Sequence, residues 1–265
     1  MPHLEEFFTH GNGAIACMGS SAADNTYHSQ EKDGRIADKG ILYLHGPQDA
    51  CQTSLLLQFG FTQAKAGKNV VLIICGSAGA SQNPVASDIV PITACSKCHL
   101  PVQTGEDNSI WSCIHIKYLR SSVELQHFLC SLHVVDNDTS VLLVNGFENY
   151  FTDPSHMGIV YHTLALLLEA QEYMKIATGL GITLVAGNTD AFLLRDRPLL
   201  RRWCRFLEIV PWCDDPNGFI LREETEKYTQ SGDAVATSQI QFRFRRPGDN
   251  TDGYFQLLNV QRRQL

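Results

Sequence analysis

Ile41-Leu42-Tyr43-Leu44-His45-Gly46-Pro47-Gln48-Asp49-Ala50-Cys51-Gln52-Thr53-Ser54 is the stretch on which the fold turns. The apolar run Ile41 to His45 ends in Gly46-Pro47. Thr53 to Lys68 then has the composition of a helix, with Leu55, Leu56, Leu57, Phe59 and Ala64, and Gly67 stands just past its end. Strand, glycine turn and helix in that order build a phosphate loop of the form G-x-x-x-x-G-K-[ST]. Its glycines let backbone N–H groups close around phosphates, its Lys neutralises them, and its hydroxyl holds Mg²⁺. Gly46, the loop length and Thr53-Ser54 fit this pattern, but Cys51 replaces the second Gly and Gln52 the Lys. Cys51 adds a Cβ where glycine would cost nothing sterically. Gln52 removes the charge that faces the β/γ-phosphates, and Asp49 adds a negative one. On this segment alone a plain strand-to-helix turn competes with the phosphate-loop reading.

Outward from the loop the same alternation continues. Val70 to Cys75 is apolar on consecutive positions, as a parallel strand buried on both faces should be. A long irregular stretch, Gly76 to Ile110, follows, and Cys113 to Tyr118 alternates as a strand. Ser121-Ser122-Val123-Glu124 is a capping box, and Leu125, Phe128, Leu129 and Leu132 mark one face of the helix it opens. Val141 to Val144 is a further buried run, closed by Asn145-Gly146. Met157 to Ile176 reads as a helix apolar on more than one face, which predicts cover from another chain. Ile182 to Ala186 is the next strand. Phe206 to Val210, Phe219 to Arg222, Ile240 to Arg245 and Tyr254 to Val260 then follow with only turns or loops between them, which prepares antiparallel pairing. The expectation is an α/β fold: a mostly parallel central sheet with antiparallel C-terminal strands. Residues 1–39 read as a flexible extension, and 40–265 as one core with a Cys-containing insertion around 76–112.

Composition sets outer limits. Hydrophobic residues are 44% and charged residues 18% of the 265, which excludes wholesale disorder. No apolar run approaches the ~20 residues of a spanning helix, and Met1 to His10, with Glu5 and Glu6, does not read as a secretory leader. A net charge of −7 excludes a protein whose whole surface grips nucleic acid. That charge is uneven. Residues 1–180 hold 9 Lys/Arg against 17 Asp/Glu, whereas 181–265 hold 12 against 11. Contacts to a polyanion are therefore expected from the last third, at Arg201, Arg202 and Arg205 beside Trp203, and at Arg243 and Arg245 on an alternating strand. The competing reading for both groups is a solvated face.

The chemistry-bearing positions are few. The candidate nucleotide-binding residues are Gly46, Gln52, Thr53, Ser54 and Asn145. A working phosphate-loop site ends a later strand in an Asp that orders Mg²⁺, but here Asn145 stands there, followed by Gly146-Phe147-Glu148. The acid expected after the second strand is missing too, since that position reads Cys75-Gly76-Ser77-Ala78-Gly79. Lys, metal-holding Asp and water-activating Glu are absent together. Hydrolysis is expected to be lost, and ATP is at best a weakly held ligand. Nine cysteines without a leader suit reduced thiols. Cys95-Ser96-Lys97-Cys98-His99 with Cys113-Ile114-His115 offers a candidate zinc set, Cys95, Cys98, Cys113 and His115, with His99 as substitute. Incidental free cysteines are the alternative.

From the loop at 46–54 through Val70 to Cys75, Ile114 to Lys117, Val141 to Gly146 and Ile182 to Asn188, the chain resembles the RecA-like recombinase family. Among its small paralogues it looks most like those associated with SWIM-domain proteins, the ATPase-like subunits of Shu complexes. Ser122 to His133, Val141 to Tyr150 and Asp252-Gly253-Tyr254-Phe255 carry that impression. The resemblance implies a RecA-like core and a nuclear regulatory subunit in homologous recombination repair. Its partners would be a SWIM zinc-finger protein, the strand-exchange recombinase and single-stranded DNA. Cys51, Gln52 and Asn145 depart from the family pattern. Two other readings share the fold: an active P-loop ATPase with an atypical loop, and a RecA-like subunit of another assembly such as Elongator.

Overall fold

Strands that are apolar on both faces need a covering layer on each side. β1 (Ile41–Gly46) is buried along its whole length, and β2 (Asn69–Cys75), β4 (Thr139–Asn145) and β5 (Ile182–Asn188) nearly so. β3 (Ile114–Leu119) is more exposed and forms one edge. With β6 (Cys204–Pro211), β7 (Gly218–Glu223), β8 (Gln239–Arg245) and β9 (Tyr254–Gln261), they make one nine-stranded sheet in the order β3-β2-β4-β5-β1-β6-β7-β8-β9. Pairing is parallel from β3 to β6 and antiparallel from β6 to β9. The computed structural model describes residues 40–48, 51–76, 108–135, 138–151, 157–223, 239–245 and 253–261.

Period-two alternation sends each strand's residues to opposite layers. Leu42 and Leu44 of β1 join a core with α1 (Gln52–Lys65), on which the aromatic residues Phe242, Phe244 and Phe255 of the C-terminal strands also close. The helical turn α2 (Asn108–Trp111) packs at the same side, where Trp111 lies 5.7 Å from the Phe61 ring. In the sequence, residues 108–110 belong to an irregular stretch; this tertiary contact makes them helical. Ile41 and Tyr43 face the other way, into a core with α3 (Ser122–Val135) and α4 (Met157–Thr178).

The capping box at α3 is present. Ser121 Oγ accepts the Glu124 N–H at 3.2 Å, and Glu124 Oε2 reaches back to the Arg120 N–H at 2.7 Å. The apolar faces of α4 are met largely inside the chain, by the sheet and by α3, with Gln126 Nε2 donating to Thr163 Oγ1 at 2.8 Å. Ile176, 83% exposed, is the clear exception on that helix. No helix among the described residues is long and apolar enough to cross a membrane. The fold is the α/β class expected, with a mostly parallel central sheet and antiparallel C-terminal strands.

Candidate functional site

β1, β2, β4 and β5 run in the same direction, so the loops that follow them gather at one edge of the sheet. There they enclose a cleft of about 310 Å³, lined by the loop residues Gln48, Cys51, Gln52 and Thr53 and by Asn145, Glu148 and Asn188 across from them. Gly46 has to be glycine, because a Cβ there would come 2.8 Å from Ile209 Cβ on β6. Gln52 opens α1, and its Nε2 donates to the Pro47 carbonyl at 2.8 Å. The side chain in the lysine's place thus turns back onto its own loop. Asn145 Nδ2 donates to Thr53 Oγ1 at 3.0 Å, and that hydroxyl lies 3.3 Å from Asn145 Oδ1. Three of the five candidate nucleotide residues, Gln52, Thr53 and Asn145, therefore line the cleft, whereas Gly46 ends β1 and does not. Ser54 is 3% exposed inside α1 and does not line it.

Glu148 follows Asn145-Gly146-Phe147 directly, and the sequence alone gives it no role. Gly146, at φ 63°, turns the chain into a 3₁₀ helix over Phe147–Tyr150, and the buried rings of Phe147 and Tyr150 anchor it. Glu148 is thereby swung across β5. Its Oε1 accepts the Asn188 N–H at 3.0 Å, whereas Oε2 is buried with no hydrogen-bond partner. Burial pushes its carboxyl above the usual range, partly opposed by its own backbone N–H and that of Asn188. The buried Tyr43 hydroxyl is also without a partner, and burial raises that phenol well above its ordinary value. A Cβ on Gly187 would lie 2.5 Å from Glu148 Oε2 and 2.8 Å from the Tyr43 hydroxyl. The one available sequence signal was an acid placed between two anchoring aromatics directly after a buried strand. His45 is fully buried beside them, with Nδ1 3.2 Å from Thr189 Oγ1, and burial together with Arg197 lowers its pKa to about 4. Its imidazole is neutral.

The five arginines singled out in the sequence do not form one patch. Arg201 and Arg202 lie in the turn before β6, where the Trp203 carbonyl accepts the Ile41 N–H at 2.9 Å, so they sit at the edge opposite the cleft. Arg205, on the α1 side of β6, is ion-paired with Glu223. Arg243 and Arg245 are exposed on β8, alternating with buried Phe242 and Phe244 as expected, and Arg243 is ion-paired with Asp215. β8 runs parallel to β1 and ends at the cleft side. By register Phe242 is level with Pro211, so Arg243 lies eight residues along from Cys204 and about 25 Å or more of strand separates the two groups.

Of the candidate zinc ligands, Cys95, Cys98 and the substitute His99 lie outside the described residues. Cys113 packs against the α1-side core with its thiol 3.7 Å from the Ser109 carbonyl, and His115 is exposed on β3. Among the described residues no three His, Cys, Asp or Glu side chains are grouped to hold a metal.

No family model matches the chain, and no curated protein matches it. Among solved structures it is similar to the flagellar accessory protein FlaH from Methanocaldococcus jannaschii. That likeness has 8% identity and a TM-score of 0.47, over 78% of this chain and 86% of the other.

Proposed function

We propose that this protein is a non-catalytic RecA-like subunit that works by binding rather than by hydrolysis. In this reading it is a regulatory recombinase paralogue of homologous recombination, nuclear, paired with a SWIM zinc-finger protein. It supports the strand-exchange recombinase on single-stranded DNA, and Arg201, Arg202, Arg205, Arg243 and Arg245 supply phosphate contacts. The observation that carries the pseudo-enzyme part is the Gln52 to Pro47 hydrogen bond. A lysine there would hold phosphate, whereas this amide bonds to its own loop, and the hydroxyl of Thr53 is engaged by an uncharged Asn145. The partner part rests on the family resemblance.

The test has two arms. Steady-state phosphate release, with and without single-stranded DNA, is expected to match a Thr53→Ala control; turnover clearly above it makes the protein an active ATPase. Affinity purification from cells is expected to bring down a SWIM-domain protein, and recovery of Elongator-type subunits instead would replace this assignment.

A further inference from the structure

We propose that the cleft is a receptor for a guanidinium group, into which a partner protein places an arginine side chain against Glu148. This deepens the preceding section and rests on its reading that the cleft does not work on a nucleotide.

Glu148 carries the only carboxylate among the described lining residues, and none of those residues is a Lys, Arg or His. The donors that the backbone supplies are its own N–H and that of Asn188, the latter 3.0 Å from Oε1. Oε2 is left buried and without a partner. A carboxylate taken out of water is ordinarily paired with a cation or saturated with donors. The Tyr43 hydroxyl close by is buried and unpartnered as well, so it does not close the deficit. Gly187 leaves the room in which both oxygens stand, since a Cβ there would lie 2.5 Å from Oε2 and 2.8 Å from that hydroxyl. Side-chain rotations of the kind common on binding bring Oε2 to an entering donor.

The rest of the wall is mostly polar and neutral, and what it has left to offer is acceptors. Gln52 Nε2 and Asn145 Nδ2 are engaged inside the protein, by the Pro47 carbonyl and by Thr53 Oγ1. Among the described residues nothing donates to Gln52 Oε1 or Asn188 Oδ1. Carboxamide oxygens beside one negative charge suit a cation rich in N–H groups. Guanidinium is planar, presents five such donors and is less strongly hydrated than an ammonium, so it loses less on leaving water. A divalent ion is held by more charge than one carboxylate unless phosphates accompany it, and no three His, Cys, Asp or Glu side chains are grouped among the described residues.

The cleft of about 310 Å³ has room for one long side chain, at the small end of the roughly 300–1,000 Å³ range of ligand pockets. Free arginine would bring an α-carboxylate that no cation in the described lining receives. Within a peptide that charge is gone, so a protein is the source that fits.

Calorimetric titration of the full chain with Nα-acetyl-arginine methylamide, its neutral isostere Nα-acetyl-citrulline methylamide and free L-arginine tests this. The capped arginine is expected to saturate in the millimolar range, at least about tenfold more tightly than the citrulline compound, and ahead of free arginine. Glu148→Gln should erase the preference for arginine over citrulline. Gln52→Lys puts an ammonium in the same cleft and should abolish arginine binding, and thermal melts beside the parent show that each variant is folded. Equal binding of the two capped compounds, no saturable binding at millimolar concentration, or a preference unchanged in folded Glu148→Gln overturns the proposal. Free arginine bound more tightly than the capped form overturns the protein as its source. Any of these results without phosphate release leaves the non-hydrolysing subunit intact; ATP turnover would overturn both.

Discussion

Gly187 lacks a side chain because Glu148 and Tyr43 occupy the space one would need. Gly187→Ala should therefore destabilise the protein by about 1–3 kcal/mol, the usual cost of overpacking, and Glu148→Ala in the same chain should recover part of it. Urea unfolding of the two variants measures both effects. The ionisable groups in this corner also set opposing pH dependences. His45 is neutral in the fold, with its pKa lowered to about 4 from 6.5. The unfolded chain binds the extra proton between those values, so stability present above pH 6.5 is lost as pH falls toward 4. Glu148 runs the other way: its carboxyl is raised above 4.5. The native state therefore holds the proton more firmly, and that contribution is lost as pH rises through its folded value. Denaturation midpoints from pH 4 to pH 8 should show the first slope flattened in His45→Gln and the second in Glu148→Gln.

At the scale of the element, the strands were legible because burial on two faces leaves consecutive apolar residues, as in Val70 to Ile74, and α3 because its capping box is a local device. What escaped reading depends on contacts distant in sequence. α2 exists where Trp111 meets Phe61, and the turn over Phe147–Tyr150 where two rings find the α4-side core. The phosphate-loop residues could be named in advance, since they share one short segment. That Gln52 would bond to its own loop, and Glu148 cross β5, could not, because both follow from side-chain packing. The C-terminal strands depend on a ring cluster, in which Phe255 packs edge-on to Phe242 at 5.3 Å and to Phe244 at 6.1 Å. Phe255→Ala should cost about 3–5 kcal/mol, read as a lowered urea midpoint. A loss within 1 kcal/mol would mean that β9 adds little to the core.

For the whole molecule, strand direction decides what linear charge counting could not. Arg201 and Arg202 lie at one edge of the sheet and Arg243 and Arg245 toward the other. If both groups touch the same nucleic acid, they act as independent contacts about 25 Å or more apart. In the partner complex, Arg201→Ala with Arg202→Ala and Arg243→Ala with Arg245→Ala should then weaken single-stranded DNA binding additively. Each lost phosphate contact should lower the log–log salt slope by ~0.7. An effect confined to one pair, measured by fluorescence anisotropy at several salt concentrations, would assign the other to a solvated face.

The place of β1 in the strand order also has a consequence for synthesis. β1 is made long before its neighbours, since Leu42 pairs with Leu184 of β5 and Ile41 with Cys204 of β6. Until those segments leave the ribosome, this strand, buried along its whole length in the fold, has two open edges, each a template for pairing with another chain. Such distant pairings form slowly and leave apolar surface exposed meanwhile. A nascent chain stopped before Cys204 cannot close the centre of its own sheet, so a chain truncated there is expected to aggregate where the full chain does not.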